Sequence, residues 1–200
     1  MISAQAKESF ERILEKAARA RLTVDSADTC QIVLQTRHGA DTTGDTTANA
    51  HVNTPAARTT TDRANVADVV VLTISSISFR LLLMLHVNED AATVGYYTKG
   101  DAERPFSEVF QEICNLCCGA INQELLRYFP DLGMSTPYML NARCLPHLEG
   151  LKPELLETWA VTINDSVRLS ATICVCAHAP IDFMADVSSA EDTSGELELF

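Results

Sequence analysis

The hydrophobic residues of segment 101–130, DAERPFSEVFQEICNLCCGAINQELLRYFP, recur at the spacing of an amphipathic helix. Because a helix turns by about 100° per residue, positions three and four apart lie on one face. Pro130 and Gly133 then follow, and both are typical of the end of a helix. The pattern predicts one long helix whose buried face is an apolar stripe made of Phe106, Val109, Phe110, Ile113, Leu116, Cys117, Ala120 and Ile121.

The opposite face of this helix combines polar residues with a glycine. Glu108, Glu112, Asn115, Gly119 and Asn122 fall within a sector of about 80° on the helical wheel. Glycine costs about 1 kcal/mol relative to alanine inside a helix, so it indicates close approach of another group. A solvated polar face is the simpler interpretation, and a Glu-x-x-Asn pair has about even odds of occurring by chance in a chain this long.

Similar spacing predicts a first helix over residues 3–22, with Ser3 as its N-cap and Phe10 on its buried face. Short apolar runs predict strands after it. The strand candidates are CQIVLQT from Cys30, one or two strands in segment 66–90, and AATVGYYTKG at 91–100 after a turn at Asn88-Glu89-Asp90.

The C-terminal half is predicted to be mainly β-structure after the long helix. STPYML at 135–140 is a short strand candidate, and a loop containing Pro146, Gly150 and Pro153 follows. TWAVTIND and SVRLSATICVCAHA predict a hairpin around Asn164-Asp165. The order of elements favours an α/β sandwich, in which two helices pack on an antiparallel or mixed sheet.

Two segments contain almost no large apolar residue and cannot bury enough surface to become ordered on their own. Residues 38–65 are rich in Thr, Ala and Asp and predict a long loop or insertion. Residues 185–200 predict a disordered acidic tail. The expected organisation is a single domain over residues 1–184 followed by this tail.

The composition excludes two classes of partner. A hydrophobic fraction of 46% is sufficient for one real core. The net charge of −12 argues against nucleic acid, whose phosphates require Lys and Arg, and against attachment to anionic membranes.

The seven cysteines and the charged first twenty residues predict a reduced, cytoplasmic protein without a secretory signal. The apolar segment 69–87 is interrupted by Ser and Arg and is predicted to be buried strand. A CxxC inside a helix lacks the geometry of structural zinc. Core packing is therefore favoured, and a redox or metal role stays open, for Cys114, Cys117, Cys118, Cys174 and Cys176.

Other catalytic motifs are weak in this sequence. Residues 38–46 imitate a phosphate-binding loop, but Asp45 occupies the position that requires Lys and would repel a phosphate. The five histidines are scattered and accompany no hydrolase motif.

FSEVFQEICNLCCGAINQEL, together with STPYML and the predicted hairpin, resembles the CheC/CheX/FliY phosphatases of bacterial chemotaxis. Their signature is an acidic or Ser position, then E-x-x-N on a helix, then a Pro a little over twenty residues later. Glu108, Glu112, Asn115 and Pro137 stand at or within one residue of these positions. The first position is usually Asp or Ser rather than Glu. The first helix has no Asn at the required offset, so the resemblance is to the single-site, CheX-like branch.

The resemblance implies a phosphatase for the aspartyl phosphate of a response-regulator receiver domain (CheY-like). In that family pattern Asn115 orients the attacking water, and Glu112 pairs with the receiver's active-site Lys. Glu108, Gly119 and Asn122 are the expected partner-binding positions. Mg²⁺ is expected in the receiver, so the chain needs no cofactor of its own.

The resemblance also implies a homodimer, and it leaves two alternatives open. The same fold serves as a non-catalytic adaptor or binding module in flagellar switch proteins, and fold alone does not decide between these functions. An unrelated α/β domain with a chance motif is the other alternative.

Overall fold

The computed structural model describes residues 1–35, 68–100 and 103–186. In this part of the chain a seven-stranded sheet carries two long helices on one face. The elements are α1 (Ala4–Arg21), β1 (Cys30–Leu34), β2 (Asp68–Ser75), β3 (Phe79–Val87), α2 (Ala91–Thr98), α3 (Phe106–Leu125), β4 (Gly133–Met134), β5 (Tyr138–Asn141), a 3₁₀ helix (Ala142–Leu151), β6 (Leu155–Ile163) and β7 (Val167–Ala177). Every paired strand runs antiparallel to its neighbour, in the order β1-β6-β7-β3-β2, with β4 and β5 both paired to β2 at the far edge.

The predicted first helix is confirmed as α1. Ser3 caps it, because its side chain accepts a hydrogen bond from the Ala6 amide at 3.1 Å. The buried positions recur at helical spacing, as the sequence indicates. They include Ala6, Phe10, Ile13, Leu14 and Ala17.

The predicted strands of the central sheet are confirmed, and segment 69–87 lies mostly in β2 and β3, joined by a tight turn. The hairpin of β6 and β7 turns at Asn164 and Asp165, whose φ angles of 50° and 56° are left-handed. Asn and Asp tolerate this conformation better than most residues, which is why the pair marks the turn. The predicted α/β sandwich is therefore confirmed.

The prediction of a strand over 91–100 is wrong, because this segment forms the helix α2. Asp90, which we assigned to a turn, is the N-cap: its Oδ1 accepts a hydrogen bond from the Thr93 amide at 2.9 Å. Tyr97 is buried and packs against α3, so tertiary contacts stabilise a segment whose composition favours a strand.

The second face of the sheet is partly covered by the 3₁₀ helix, which forms where we predicted a loop. Its residue Leu148 packs in a small apolar cluster with Val69, Val71, Met84 and Cys174. The main core lies on the other face, between the sheet and the two long helices, and contains Trp159.

The segment after β7 returns to the beginning of the chain and closes the main core. Ile181 bridges to Ile2, and Phe183 packs edge-on against Phe10 at 5.1 Å between ring centroids. The buried Ser9 hydroxyl accepts a hydrogen bond from the Ala185 amide at 2.9 Å. Ala185 is buried, so the first residue of the predicted tail packs against the body of the protein.

The predicted insertion at 38–65 and nearly all of the predicted tail, 187–200, lie outside the described residues. The division into one domain and a tail stays a prediction. No helix within the described ranges combines the length and hydrophobicity that crossing a membrane requires.

Candidate functional site

The helix α3 begins at Phe106, directly after Pro105, and ends at Leu125, so it is shorter than the predicted 101–130. Glu108 lies in its first turn, where a carboxylate interacts favourably with the helix dipole. Phe106 and Phe110 stack at 5.6 Å and contact Tyr97 of α2. These contacts fix the N-terminal half of α3 on the body of the protein.

The buried face of α3 is rotated relative to the predicted stripe. Leu116, predicted to be buried, is 51% exposed, whereas Cys114 and Cys118 are fully buried. The reason is that α3 packs on the sheet and on α1 at once, so its buried face is defined by two neighbours. The buried residues are Val109, Phe110, Cys114, Cys117, Cys118, Ile121 and Leu125.

The predicted polar face, which runs from Glu108 to Asn122, lies mostly on the outer side of α3. Glu108 and Glu112 are exposed, and Asn115 is half-buried one turn after Glu112. The Glu112 carboxylate forms an ion pair with Arg104, at 3.0 Å from Oε2 to Nη2. The Asn115 side chain makes no hydrogen bond to any described residue, so its carboxamide oxygen and amino group are both available to a ligand.

Gly119 has no packing role inside the described protein. A methyl group placed on its Cα would meet no atom within 4 Å apart from the helix itself and its chain neighbours. The glycine therefore weakens the helix without a compensating contact in the described residues. This is the arrangement expected if a group outside the described residues approaches the helix there.

A shallow groove of about 210 Å³ lies along this part of α3. Asn115 and Gly119 belong to its lining, and Arg21 at the end of α1 contributes a charged side chain. Its remaining lining residues are Leu116, Ala120, Gln123 and Met134.

Asn122 is less exposed than the prediction of a polar outer face implies. The residue is half-buried, and its Oδ1 atom is buried without a hydrogen-bond partner among the described residues. It lies closer to the core than Asn115, because the buried face is rotated toward it. Its assignment as a partner-binding residue stays a prediction.

Pro137 lies immediately before β5, at the sheet edge beside α3. The Gln111 side chain on α3 contacts Met139 on β5, with 3.4 Å between Nε2 and Sδ. The Pro of the family signature thus directly precedes a strand whose Met139 contacts the helix.

The predicted burial of the cysteines on α3 is confirmed. Burial raises the pKa of Cys118 to about 12, and it also raises the pKa of Cys114 and Cys117. All three are therefore held as neutral thiols at neutral pH. Within residues 1–35, 68–100 and 103–186, no group of three or more His, Cys, Asp or Glu side chains is arranged to hold a metal ion.

Sequence reasoning missed both arginines near the site. Arg104 precedes the helix, so helical periodicity does not relate it to Glu112, and Arg21 comes from a different helix. Sequence reasoning also missed a cavity of about 380 Å³ beside the start of α3, lined in part by Asp68, Glu89 and Asp90. A pattern along one segment carries no signal for contacts of this kind.

Comparison with solved structures places the fold. A candidate chemotaxis protein from Desulfovibrio vulgaris Hildenborough superimposes with a TM-score of 0.51 at 11% identity, over 87% of this chain and all of the other. CheX from Vibrio vulnificus gives 0.48 at 12% identity, over 84% and 97% of the two chains. The CheX–CheY–BeF₃–Mg²⁺ complex from Borrelia burgdorferi gives 0.49 at 10% identity, over 84% and 96%.

No protein-family model matches the sequence, and no curated protein matches it. At 11% identity the Desulfovibrio structure, with its TM-score of 0.51, establishes the fold and not the activity. The chain shares its α/β fold with that chemotaxis protein.

Proposed function

We propose that this protein is a phosphatase that hydrolyses the aspartyl phosphate of a response-regulator receiver domain in chemotaxis or two-component signalling. The observation that carries the proposal is that Glu112 and Asn115 lie one turn apart on the outer face of α3. Glu112 is exposed, and the Asn115 side chain makes no hydrogen bond to any described residue. Gly119 lies one turn further along the same face and leaves room for a partner. The CheX/CheC-like fold is compatible with this function.

The chemistry requires little from the protein beyond positioning. An acyl phosphate is already activated, so the main task is to align one water molecule with phosphorus. The carboxamide oxygen of Asn115 accepts a hydrogen bond from that water, and its amino group donates to a phosphoryl oxygen. The water oxygen then bonds to phosphorus, the bond to the Asp oxygen breaks, and the products are the Asp carboxylate and inorganic phosphate.

Glu112 supplies the partner contact in this proposal. Its carboxylate pairs with the active-site Lys of the receiver, which requires it to exchange Arg104 for that Lys. Both members of the existing ion pair are more than half exposed, so the exchange costs about 1 kcal/mol or less. Glu108, Gly119 and Asn122 complete the proposed contact surface, and the receiver holds the Mg²⁺.

A non-catalytic adaptor is the second proposal, and the exposed apolar residues at the groove favour it. Leu116 is 51% and Met134 40% exposed, so the same surface can bind a partner without any turnover. An adaptor would need this surface and Glu112 but would make no use of the Asn115 carboxamide.

An assay with phosphorylated receivers distinguishes the phosphatase from the adaptor. A panel of receivers from the same organism is phosphorylated and incubated with the protein. The wild type should release phosphate from at least one receiver, and the Glu112→Ala/Asn115→Ala double variant should not. Gln111→Ala is the matched control, since it removes a carboxamide from the same helix outside the groove. An equally active double variant would refute the assigned roles, and binding without turnover by the wild type would establish the adaptor.

The homodimer is also a proposal. Sedimentation at micromolar concentration should give a dimer, and a single monomeric species would contradict it.

A further inference from the structure

The outer face of α3 changes its chemical character along its length. Glu108 and Glu112 make its first half acidic. The groove beside the second half contains no carboxylate, and its polar side chains are those of Arg21, Asn115 and Gln123. These three side chains supply hydrogen-bond donors, which is the chemistry that recognises an oxyanion.

Arg21 is positioned there by the packing of α1 against α3. The Lys16 ammonium group lies 2.7 Å from the Glu124 carboxylate and joins the two helices near the end of α3. Arg21, more than one turn further along α1, then reaches the middle of α3. Its positive charge is close enough to Cys117 to oppose the rise that burial causes in the pKa of that thiol.

Arg21 differs from three of the four basic residues that precede it on α1, Lys7 being the exception. Arg12, Lys16 and Arg19 each form an ion pair with a glutamate. Arg21 forms no hydrogen bond or ion pair with any described residue, although the chain has an excess of twelve negative charges. A guanidinium group at the end of α1 also interacts favourably with the helix dipole, so this alternative must be tested.

We infer that Arg21 is an anion-binding residue of the site and that, with Asn115 and Gln123, it binds a phosphoryl group brought to the groove. The identification of that group as a receiver's aspartyl phosphate rests on the proposed function, whereas the recognition of a tetrahedral oxyanion does not. The guanidinium group can donate two parallel hydrogen bonds to phosphoryl oxygens and offset their charge.

The inference also gives the partner an orientation. A phosphoryl group near Glu108 or Glu112 would be repelled by their carboxylates, so the anion lies toward Gly119 and the cation of the partner toward Glu112. The absence of a side chain at Gly119 lets the anion approach the helix closely.

The first test uses inorganic phosphate and needs no receiver. In an NMR titration at constant ionic strength and pH, the side-chain N–H signals of Arg21, Asn115 and Gln123 should shift saturably. Arg21→Ala should weaken this binding at least about fivefold, the loss expected for one charge-assisted contact, and Arg21→Lys should restore part of it. Arg12→Ala, which removes an exposed charge from the same helix, should change nothing.

The second test measures turnover of a phosphorylated receiver. Arg21→Ala should lower kcat/KM about tenfold, mainly by raising KM, because the contact exists before the reaction begins. Arg12→Ala should retain the wild-type values.

The outcomes distinguish this inference from the proposed function. Arg21-dependent phosphate binding without receiver turnover would refute the phosphatase and retain the anion site. Unchanged turnover of the receiver by Arg21→Ala would overturn the inference and leave the proposed phosphatase intact. The inference would also be overturned if phosphate caused no NMR shifts in the wild type, or the same shifts in Arg21→Ala. A lower melting temperature with unaltered phosphate binding would assign Arg21 to the helix dipole alone and overturn the inference.

Discussion

The two long helices lie side by side on one face of the sheet, but their solvent faces differ. On α1, Arg12 and Arg19 pair with glutamates one turn earlier, at 3.4 and 2.7 Å. On α3, Asn115 has no partner among the described residues, and Gly119 faces open space. These two arginines of α1 are paired within their own helix, whereas Asn115 of α3 and Arg21 at the end of α1 have no hydrogen-bond or ion-pair partner among the described residues. The comparison teaches that the candidate site lies where the fold leaves such polar groups available.

The largest effect should come from Asn115→Ala. If Asn115 positions the attacking water as proposed, loss of its carboxamide should lower kcat on a phosphorylated receiver by about 100-fold or more, as for other preorganised polar groups. The melting temperature should change little, since no described residue loses a hydrogen bond. Stopped-flow release of phosphate and thermal unfolding measure both quantities. A large loss of stability would show that Asn115 is structural, like the residues of α1.

Glu112→Ala should weaken binding of the phosphorylated receiver about tenfold, because the proposed contact between its carboxylate and the receiver's Lys is lost. Glu8→Ala on α1 is the matched control: it removes the same charge and an ion pair with an exposed arginine. Titration calorimetry with a stably activated receiver should show normal affinity for the control. If Glu8→Ala lost as much receiver affinity as Glu112→Ala, the effect would come from the change in net charge and not from a specific contact of α3.

Lys16→Met should destabilise the protein by about 1–2 kcal/mol, because Glu124 is only 16% exposed and loses one of its two cations. Arg12→Met should cost less than about 0.5 kcal/mol, since its pair is exposed. Urea unfolding measures the difference. A neutral Lys16→Met would mean that the ion pair between the helices contributes nothing to their packing.

Gly119→Ala should raise the free energy of unfolding by about 0.5–1 kcal/mol, because alanine favours the helix and its methyl group meets open space. The same methyl group should impair receiver binding. Ala20→Gly, at an exposed position near the end of α1, should destabilise the helix and leave binding intact. Unimpaired binding by Gly119→Ala would show that no partner approaches this point.

The smallest effect concerns a carboxylate beside α1. Burial and the neighbouring Glu11 raise the pKa of Glu157 to about 7, and its Oε2 atom has no hydrogen-bond partner among the described residues. The pKa of Glu157 in the folded protein exceeds the ordinary value of 4.5, so folding favours the protonated carboxyl group. The stability that this proton contributes is fully present below about pH 4.5 and is lost as the pH rises through about 7. Unfolding at pH 5 and pH 8 should show Glu157→Gln gaining stability over the wild type at the higher pH. An identical difference at both values would exclude a raised pKa.

The accuracy of sequence reasoning depended on whether the deciding contacts were local. The N-cap at Ser3 and the turn at Asn164-Asp165 rely on neighbouring residues, so α1 and the last hairpin were predicted correctly. The strand prediction at 91–100 failed because aromatic and β-branched composition outweighed the cap at Asp90.

At the candidate site the exposed positions of Glu108 and Glu112 followed from the helical wheel alone. The exposure of Leu116 did not follow, because α1 and the sheet together determine which part of α3 is buried. The contributions of Arg21 and Arg104 depend on tertiary structure and could not be predicted from one helical pattern. The roles of Glu112 and Asn115 rest on the family resemblance and stay predictions.

The contacts between the two ends of the described chain have a consequence for synthesis on the ribosome. The first helix emerges early, but Ile181, Phe183 and Ala185, which pack against it, emerge more than a hundred residues later. The partner of β1 is β6, which is also made late. Among the described elements, α1 and β1 are therefore translated first but reach their final packing last. Until then the apolar face of α1 stays exposed in the nascent chain, and exposed hydrophobic surface of this kind binds chaperones.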